Sequence, residues 1–247
     1  MNNYEFFAYY ICKLAAGMSA SITVLDYGCG AGQIVTALRN KGIDARGCDV
    51  FYTGGDYSSR VQPELLGGVI KHMEHGVIPF PDESFDYVVN NQVMEHVEDI
   101  DSVLTEIYRV LKPGGQVLSM FPDKSCCREG HCGIPFLHWF PKSSKGRIYY
   151  AAFLRALGMG YFKGDKSILQ WSRDFCQWLD RWTWYRSYRE ICTVFDKRFV
   201  RLTHIEEQWL QIRYGRWAMI IGWLPRQIRR WVLRKLAGMV FISIKAI

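Results

Sequence analysis

Three glycines at alternate positions follow an acidic residue near the start of the chain. The segment, residues 26–32, reads Asp26-Tyr27-Gly28-Cys29-Gly30-Ala31-Gly32. Glycine has no Cβ, so a backbone of this composition can turn sharply and bring its N–H groups close to a ligand. A helix that starts directly after the turn adds free N–H groups and a positive dipole end. The residue types and their spacing therefore indicate a turn that binds a nucleotide-like ligand.

The elements around this turn follow from the apolar pattern. An apolar run, residues 22–25, precedes the glycines, and residues 33–40 have the spacing of a helix. Residues 43–49 read as a second short strand that ends in Asp49. In folds that bind adenosine at the end of a parallel sheet, an acidic residue about 20 positions after the turn accepts hydrogen bonds from the ribose. We therefore expect Asp49 to bind ribose hydroxyls; the alternative is an ordinary strand-end carboxylate.

The segment Asp-x-Gly-x-Gly-x-Gly, residues 26–32, resembles the first motif of the class I S-adenosylmethionine (SAM) methyltransferases. Three later segments resemble the same family, in the same order: residues 78–89, 90–99 and 106–115. The resemblance is to the methyltransferase domain of small-molecule and ubiquinone-biosynthesis enzymes. It implies a Rossmann-like α/β fold, with a seven-stranded, mostly parallel sheet whose seventh strand is antiparallel. It also implies SAM as the methyl donor and S-adenosylhomocysteine as the product.

The resemblance assigns cofactor contacts by position. The turn, the ends of the second and third strands and the end of the fourth strand supply them: Asp26, Gly28, Cys29, Gly30, Gly32, Asp49, Val50, Met73, Glu74 and Asn91. The chain departs from the family at Met73-Glu74, where Gly-Asp is usual beside the adenine ring. Contacts with the adenine are therefore less firmly implied than contacts with the ribose.

Composition bounds the remaining possibilities. Of 247 residues, 49% are apolar and 22% are charged, which excludes a disordered chain. The eight cysteines are scattered through predicted core elements, which indicates buried thiols in a reducing, cytoplasmic compartment. No apolar run is long enough to span a membrane. The first 20 residues lack a basic region before their apolar stretch and are predicted to form an N-terminal helix instead of a signal peptide.

The chain divides into four predicted parts. Residues 1–20 form the N-terminal helix, and residues 21–121 form the SAM-binding core with a fifth strand at 116–121. Residues 122–195 form an inserted, aromatic-rich helical cap over the ligand-binding ends of the strands. Residues 196–247 complete the core with a sixth strand at 199–205 and a seventh at 239–244. The cap aromatics suit the apolar face of a sugar or a flat ring, but most fit a small helical core better.

Candidates for the chemistry lie in the loops after the fourth and fifth strands. Methyl transfer to a hydroxyl needs exclusion of water, alignment and removal of a proton. Histidine suits that proton transfer. We expect His131 to be the base, oriented by Glu129, with His138 as second candidate and His96 as third. Cysteines beside these histidines have the right chemistry for zinc, but their spacing matches no common zinc pair, so no metal is expected.

The basic residues are concentrated at the C-terminal end. Residues 201–247 contain nine Lys or Arg and two Glu, which equals the whole net charge of +7. Residues 213–236 read as a basic amphipathic segment rich in tryptophan and interrupted at Pro225. Such a segment fits an anionic membrane surface, but the helix that the fold needs between the sixth and seventh strands is the preferred interpretation, and the two are not exclusive.

Taken together, the sequence predicts methyl transfer from SAM to a hydroxyl of a small molecule or glycan. An amine or a lipid as acceptor, and a SAM-binding scaffold without turnover, are the alternatives. Nucleic acid is not expected as a partner. Enzymes that methylate nucleobases carry an Asn-Pro-Pro-Tyr-type motif after the fourth strand, and this chain has Asn90-Asn91-Gln92-Val93 there. Residues 213–236 leave peripheral association with an anionic membrane open.

Overall fold

A seven-stranded sheet forms the centre of the computed structural model, which describes residues 1–16, 21–215 and 222–247. The strand order is β3-β2-β1-β4-β5-β7-β6. The first five strands are parallel, and β7 pairs antiparallel with both β5 and β6. The strands are β1 Thr23–Tyr27, β2 Asp44–Asp49, β3 Ile70–His72, β4 Phe85–Asn91, β5 Leu111–Phe121, β6 Arg201–His204 and β7 Met239–Ile244. The predicted fold class is confirmed.

Eight α-helices are present in the described residues. They are α1 Asn3–Ala15, α2 Gln33–Arg39, α3 Ile100–Val110, α4 Lys145–Ala156, α5 Ile168–Trp182, α6 Tyr188–Asp196, α7 Glu206–Tyr214 and α8 Arg226–Ala237. The predicted helix at 33–40 is observed to within one residue. The fifth strand begins at Leu111, earlier than predicted, because Leu111 already pairs with Phe85 across an irregular register. Residues 17–20 of the predicted N-terminal helix lie outside the described residues.

Apolar helix faces cover both sides of the sheet. One cluster packs α1, α2 and α7 against the sheet through side chains such as Phe6, Leu38 and Trp209. The other packs α3 and α6 through Leu104, Ile107, Ile191 and Phe195. In α3 the buried residues recur at helical spacing, and the Asp99 carboxylate caps the first turn by accepting two backbone N–H bonds of 3.1 Å. The three-layer arrangement leaves the carboxyl ends of the parallel strands free for a ligand.

The segment between β5 and α6 has an apolar core of its own. This third cluster contains Cys132, Ile134, Leu137, Ala151, Trp171, Cys176 and Leu179. Trp171 is fully buried, in line with the prediction that most cap aromatics form a small helical core, whereas Ile168 at the start of α5 is 40% exposed. The α6 helix belongs to the sheet layers and not to this cluster. The domain limits at residues 121 and 195 remain predictions.

The C-terminal basic segment is only partly described, since residues 216–221 of the predicted 213–236 segment lie outside the described residues. Pro225 directly precedes α8, at the predicted interruption. Leu233 is buried, whereas Ile228, Trp231 and Leu236 are exposed. Within the described ranges, no helix combines the length and hydrophobicity that a bilayer span requires.

Candidate active site

A cavity of about 1000 Å³ opens at the carboxyl ends of β1, β2 and β4. Its lining combines sheet and cap residues. The sheet side supplies the β1–α2 turn, Asp49 and the residues after β4, and the cap side supplies His131, Trp178, Trp182 and Trp184. The N-cap residue Asn2 and the first two residues of α1, Asn3 and Tyr4, close a further side. This volume is in the range of pockets that bind a cofactor together with a small ligand.

The glycine turn has the backbone geometry that its sequence predicts. Gly28, Gly30 and Gly32 have φ values of 70°, 52° and 76°, a region that side chains other than glycine rarely occupy. The N–H groups of Gly28 and Cys29 both donate to the Cys48 carbonyl, at 2.8 and 3.1 Å. These bonds fix the turn against the end of β2. The turn therefore presents open backbone to the cavity.

We expect the Gly28→Ala variant to lose about 1–3 kcal/mol of unfolding free energy and part of its affinity for SAM. A Cβ at Gly28 would lie 2.5 Å from Val93 Cγ2, and Ala would also occupy a left-handed conformation. Gly42→Ala is the matched control, since its φ is 79° and nothing lies within 4 Å of its Cβ position. Denaturant unfolding should show a larger loss at Gly28; equal losses would contradict the role assigned to the close packing of the turn.

Asp49 faces the glycine turn and is only 8% exposed. Its Oδ2 accepts the N–H of Gly30 at 2.8 Å, and its Oδ1 accepts the N–H of Phe51 at 2.9 Å. Burial raises the pKa of Asp49, and these backbone donors partly offset the rise. Asp26 is more deeply buried, and burial together with the Asp49 charge raises its pKa well above the ordinary value. The Asp49 carboxylate is thus held at the edge of the cavity by the chain's own backbone.

The other predicted cofactor residues divide into two groups. Cys29, Val50, Met73 and Asn91 line the cavity together with Asp26, Gly28 and Gly30. Gly32 and Glu74 are not part of its lining: Gly32 caps the start of α2, and Glu74 pairs with Val77 in an isolated bridge. All ten assignments remain predictions, of which eight concern residues on the cavity wall.

His131, in the loop after β5, is held by a buried carboxylate. Its Nδ1 donates to Glu129 Oε1 at 2.6 Å, and Tyr185 Oη donates to the same oxygen at 2.7 Å. The Cys132 N–H donates to the other Glu129 oxygen at 2.8 Å. Burial alone would raise the pKa of Glu129, but these bonds lower it to about 2. Burial lowers the pKa of His131, and the Glu129 carboxylate outweighs burial and raises it.

His96, in the loop after β4, lies next to His131 in the cavity lining. Its Nδ1 donates to the Trp182 carbonyl at 2.7 Å, and its Nε2 lies 3.0 Å from His131 Nε2. Burial, followed by the His131 charge, lowers the pKa of His96 to about 4. His138 does not line the cavity; it is 5% exposed and its ring lies 4.4 Å from that of Tyr185. Of the three predicted bases, the fold therefore brings two together.

Several residues of this site were not predicted. Trp182 supplies the carbonyl that orients His96, and its ring lies 4.9 Å from that of Tyr52. Tyr185 shares the Glu129 oxygen that orients His131. Asn3 of α1 accepts a hydrogen bond from Arg213 and donates one to Asn91 at 3.4 Å. Nothing in the local pattern signals these roles, because the partners come from distant parts of the chain.

Residues 25–119 match the model of a family described as "Methyltransferase domain". The ubiquinone/menaquinone biosynthesis C-methyltransferase of Desulfotalea psychrophila is 32% identical over 111 residues, covering 42% of this chain and 43% of that protein. The malonyl-[acyl-carrier protein] O-methyltransferase of Yersinia pestis is 35% identical over 97 residues, covering 38% and 34%. The chain spans less than half the length of these curated relatives.

Solved structures share the fold over nearly the whole chain. A SAM-dependent methyltransferase from Mesorhizobium loti aligns with 98% of this chain and 100% of its own, at 12% identity and a TM-score of 0.55. Phosphoethanolamine N-methyltransferase 2 of Haemonchus contortus, in complex with SAM, aligns with 97% of this chain and 52% of its own, at 14% identity and a TM-score of 0.54. At these identities the likeness shows the fold alone.

Proposed function

We propose that this chain, whose residues 25–119 match the family described as "Methyltransferase domain", transfers a methyl group from SAM to a hydroxyl of a small molecule or glycan. The observation that carries the proposal is the composition of one cavity. Its sheet side has an open glycine turn with an inward-facing carboxylate, and its cap side has an oriented histidine among tryptophans. A methyl donor and an acceptor can therefore occupy the same enclosed space.

The cofactor half of the proposal follows from hydrogen-bonding capacity. Asp49 uses its oxygens for the Gly30 and Phe51 N–H groups, and a carboxylate has about four acceptor sites, so capacity remains for ribose hydroxyls. The open turn at Gly28 and Gly30 admits the methionine part of SAM, which Asn91 and Gln92 border after β4. We assign these contacts to SAM on that basis.

The acceptor half follows from the cap. Trp178, Trp182 and Trp184 give the cavity flat apolar walls, which suit an aromatic ring or the apolar face of a sugar. His131 lies on the same wall, with its orientation set by Glu129. We propose that the acceptor oxygen attacks the methyl carbon in line with the sulfur. The C–S bond breaks, S-adenosylhomocysteine leaves as a neutral thioether, and the hydroxyl proton passes to His131.

A matched acceptor series tests this proposal. The chain is incubated with methyl-labelled SAM and with phenols, quinols and sugars, alongside the corresponding amines and methyl ethers. We expect S-adenosylhomocysteine and an O-methylated product from acceptors with a free hydroxyl, and neither from the ethers. Mass and fragmentation of the product locate the methyl group. Transfer to nitrogen, or to carbon as the name of the Desulfotalea C-methyltransferase describes, would contradict the assignment to oxygen.

Peripheral contact with an anionic membrane, and with it a lipid acceptor, stays a proposal for the segment 213–236. Its support is the exposed part of α8 and the residues before it. Trp223 is 91% exposed, Trp231 is 55% exposed and Leu236 is 67% exposed, beside a run of arginines. Aromatic and basic residues together suit the headgroup region of an anionic bilayer.

A further inference from the structure

Three metal-ligating side chains converge on the cap side of the cavity. Glu95 and His96 come from the loop after β4, and His131 comes from the loop after β5. Their candidate ligand atoms all lie within 4.8 Å of one another. Across residues 1–16, 21–215 and 222–247, these are the residues that form such a group. The cysteines and His138, which the sequence placed beside a hypothetical zinc site, are not part of it.

The hydrogen bonds made by Nδ1 of His96 and of His131 leave the two Nε2 lone pairs facing and repelling each other. The partner of His96 Nδ1 is a carbonyl oxygen, which can only accept, so Nδ1 carries the proton. The partner of His131 Nδ1 is a carboxylate, so that Nδ1 also carries a proton. In their neutral forms both Nε2 atoms therefore present lone pairs, 3.0 Å apart. A positive centre must lie between these lone pairs, and either an added proton or a metal cation can supply it.

Glu95 points to the cation. Its side chain is 2% exposed, and neither carboxylate oxygen has a hydrogen-bond partner on another described residue. A buried carboxylate without such a partner is unfavourable unless it takes up a proton or a cation compensates it, and a cation bound by the two Nε2 atoms would lie beside Glu95. The pattern of two histidines and one carboxylate, with each histidine oriented through its second nitrogen by an acceptor, is that of a protein metal site.

We infer that Glu95, His96 and His131 bind one divalent first-row transition cation of the zinc class, through a carboxylate oxygen and the two Nε2 atoms. Nitrogen and oxygen ligands of this kind suit Zn²⁺ and its neighbours better than Mg²⁺ or Ca²⁺. Glu129 and the Trp182 carbonyl would orient the ligands without touching the cation. His96 and His131 line the cavity, so the remaining coordination positions face the space proposed for the acceptor.

This inference rests on the proposed function only in its consequence for catalysis. A cation on the two Nε2 atoms takes the place of the proton that His131 would otherwise accept. With the cation held by Glu95, His96 and His131, an acceptor hydroxyl bound to it would lose its proton to solvent more readily, and its oxygen would attack the SAM methyl group as the C–S bond breaks. The cation lowers the pKa of the bound hydroxyl in the way that zinc acidifies bound water.

Cobalt titration of the chelator-treated chain tests the site directly, without SAM or acceptor. We expect one equivalent of Co²⁺ to bind and to give the visible bands of a four- or five-coordinate nitrogen and oxygen site, which Zn²⁺ then displaces. Glu95→Gln and His131→Asn should each weaken binding at least about 10-fold, and Glu129→Gln about 10- to 100-fold. His75→Asn, which removes an exposed histidine outside the group, should bind as the wild type does.

Three outcomes would overturn the inference. They are no cobalt bound by the wild type, wild-type affinity in Glu95→Gln, and the intense near-ultraviolet band of a thiolate ligand, which would assign the cation to the cysteines. Circular dichroism confirms that each variant is folded, and the wild-type spectrum is informative even where a variant is not. SAM binding is measured in the same samples. SAM binding without cobalt binding refutes the metal site alone, whereas cobalt binding without SAM binding refutes the proposed function.

Discussion

The Asp49→Ala variant is expected to bind SAM at least about 100-fold more weakly than the wild type. Hydrogen bonds from two ribose hydroxyls to one carboxylate contribute about 1.5 kcal/mol each at the lower end, and together this equals about two powers of ten in Kd. The substitution also removes the acceptor for the Gly30 and Phe51 N–H groups. The turn therefore loses two hydrogen bonds, in addition to those that the ligand loses. Equilibrium dialysis with labelled SAM measures the effect.

Asp44→Ala is the matched control for this measurement. Asp44 is an aspartate on the same strand, β2, but its side chain is 43% exposed and pairs with Arg39 and Arg46 at the surface. Exposed pairs of this kind contribute little to stability. We expect the control to bind SAM within about twofold of the wild type. Equal affinities of Asp49→Ala and the wild type would refute the assignment of the cofactor half of the cavity.

The His131→Asn variant is expected to lose about 10²- to 10⁴-fold in kcat while its affinity for SAM changes only a few-fold. A decrease in kcat of this size is typical of removing a group that takes the hydroxyl proton, or that binds a cation which acidifies the hydroxyl. SAM affinity is retained because His131 belongs to the cap, whereas the proposed ribose and methionine contacts belong to β1, β2 and β4. Single-turnover assays with saturating SAM separate these two quantities.

The Tyr185→Phe variant is the milder change with which the loss of kcat in His131→Asn is compared. It removes only the phenol bond of 2.7 Å to Glu129 and leaves the His131–Glu129 contact in place. We expect a smaller loss of kcat, about 10-fold, in accordance with a group that acts through another. If His131→Asn retained more than about one third of the wild-type kcat, the chemistry would not take place at this end of the cavity.

Local sequence patterns predicted the elements that position the cofactor half of the site. The glycine turn between β1 and α2 was predictable because its backbone conformation needs glycine at fixed positions. The seventh strand was predicted with its observed bounds, Met239–Ile244, because the family resemblance implies a closing antiparallel strand and this apolar run suits it.

The part of the cavity proposed for the acceptor is formed by contacts between distant residues, which local sequence patterns do not predict. Glu95, His131 and Tyr185 are far apart in sequence, and both Glu95 and Tyr185 lie beside His131 because the cap folds back over the sheet. The sequence predicted no role for Glu95, because the burial of its carboxylate depends on the fold. His138 and His131 looked alike in sequence, and only the fold separates them by placing one on the cavity wall and the other behind Tyr185.

Calorimetric titration of the unmodified chain with SAM and with S-adenosylhomocysteine tests the central claim most directly. The claim is that the cavity beside Gly28, Gly30 and Asp49 is built to hold the adenosyl cofactor. We predict one saturable site per chain for each ligand, with the two ligands competing for that site. Absence of saturable heat from both ligands, in a chain shown to be folded by circular dichroism, would contradict the account.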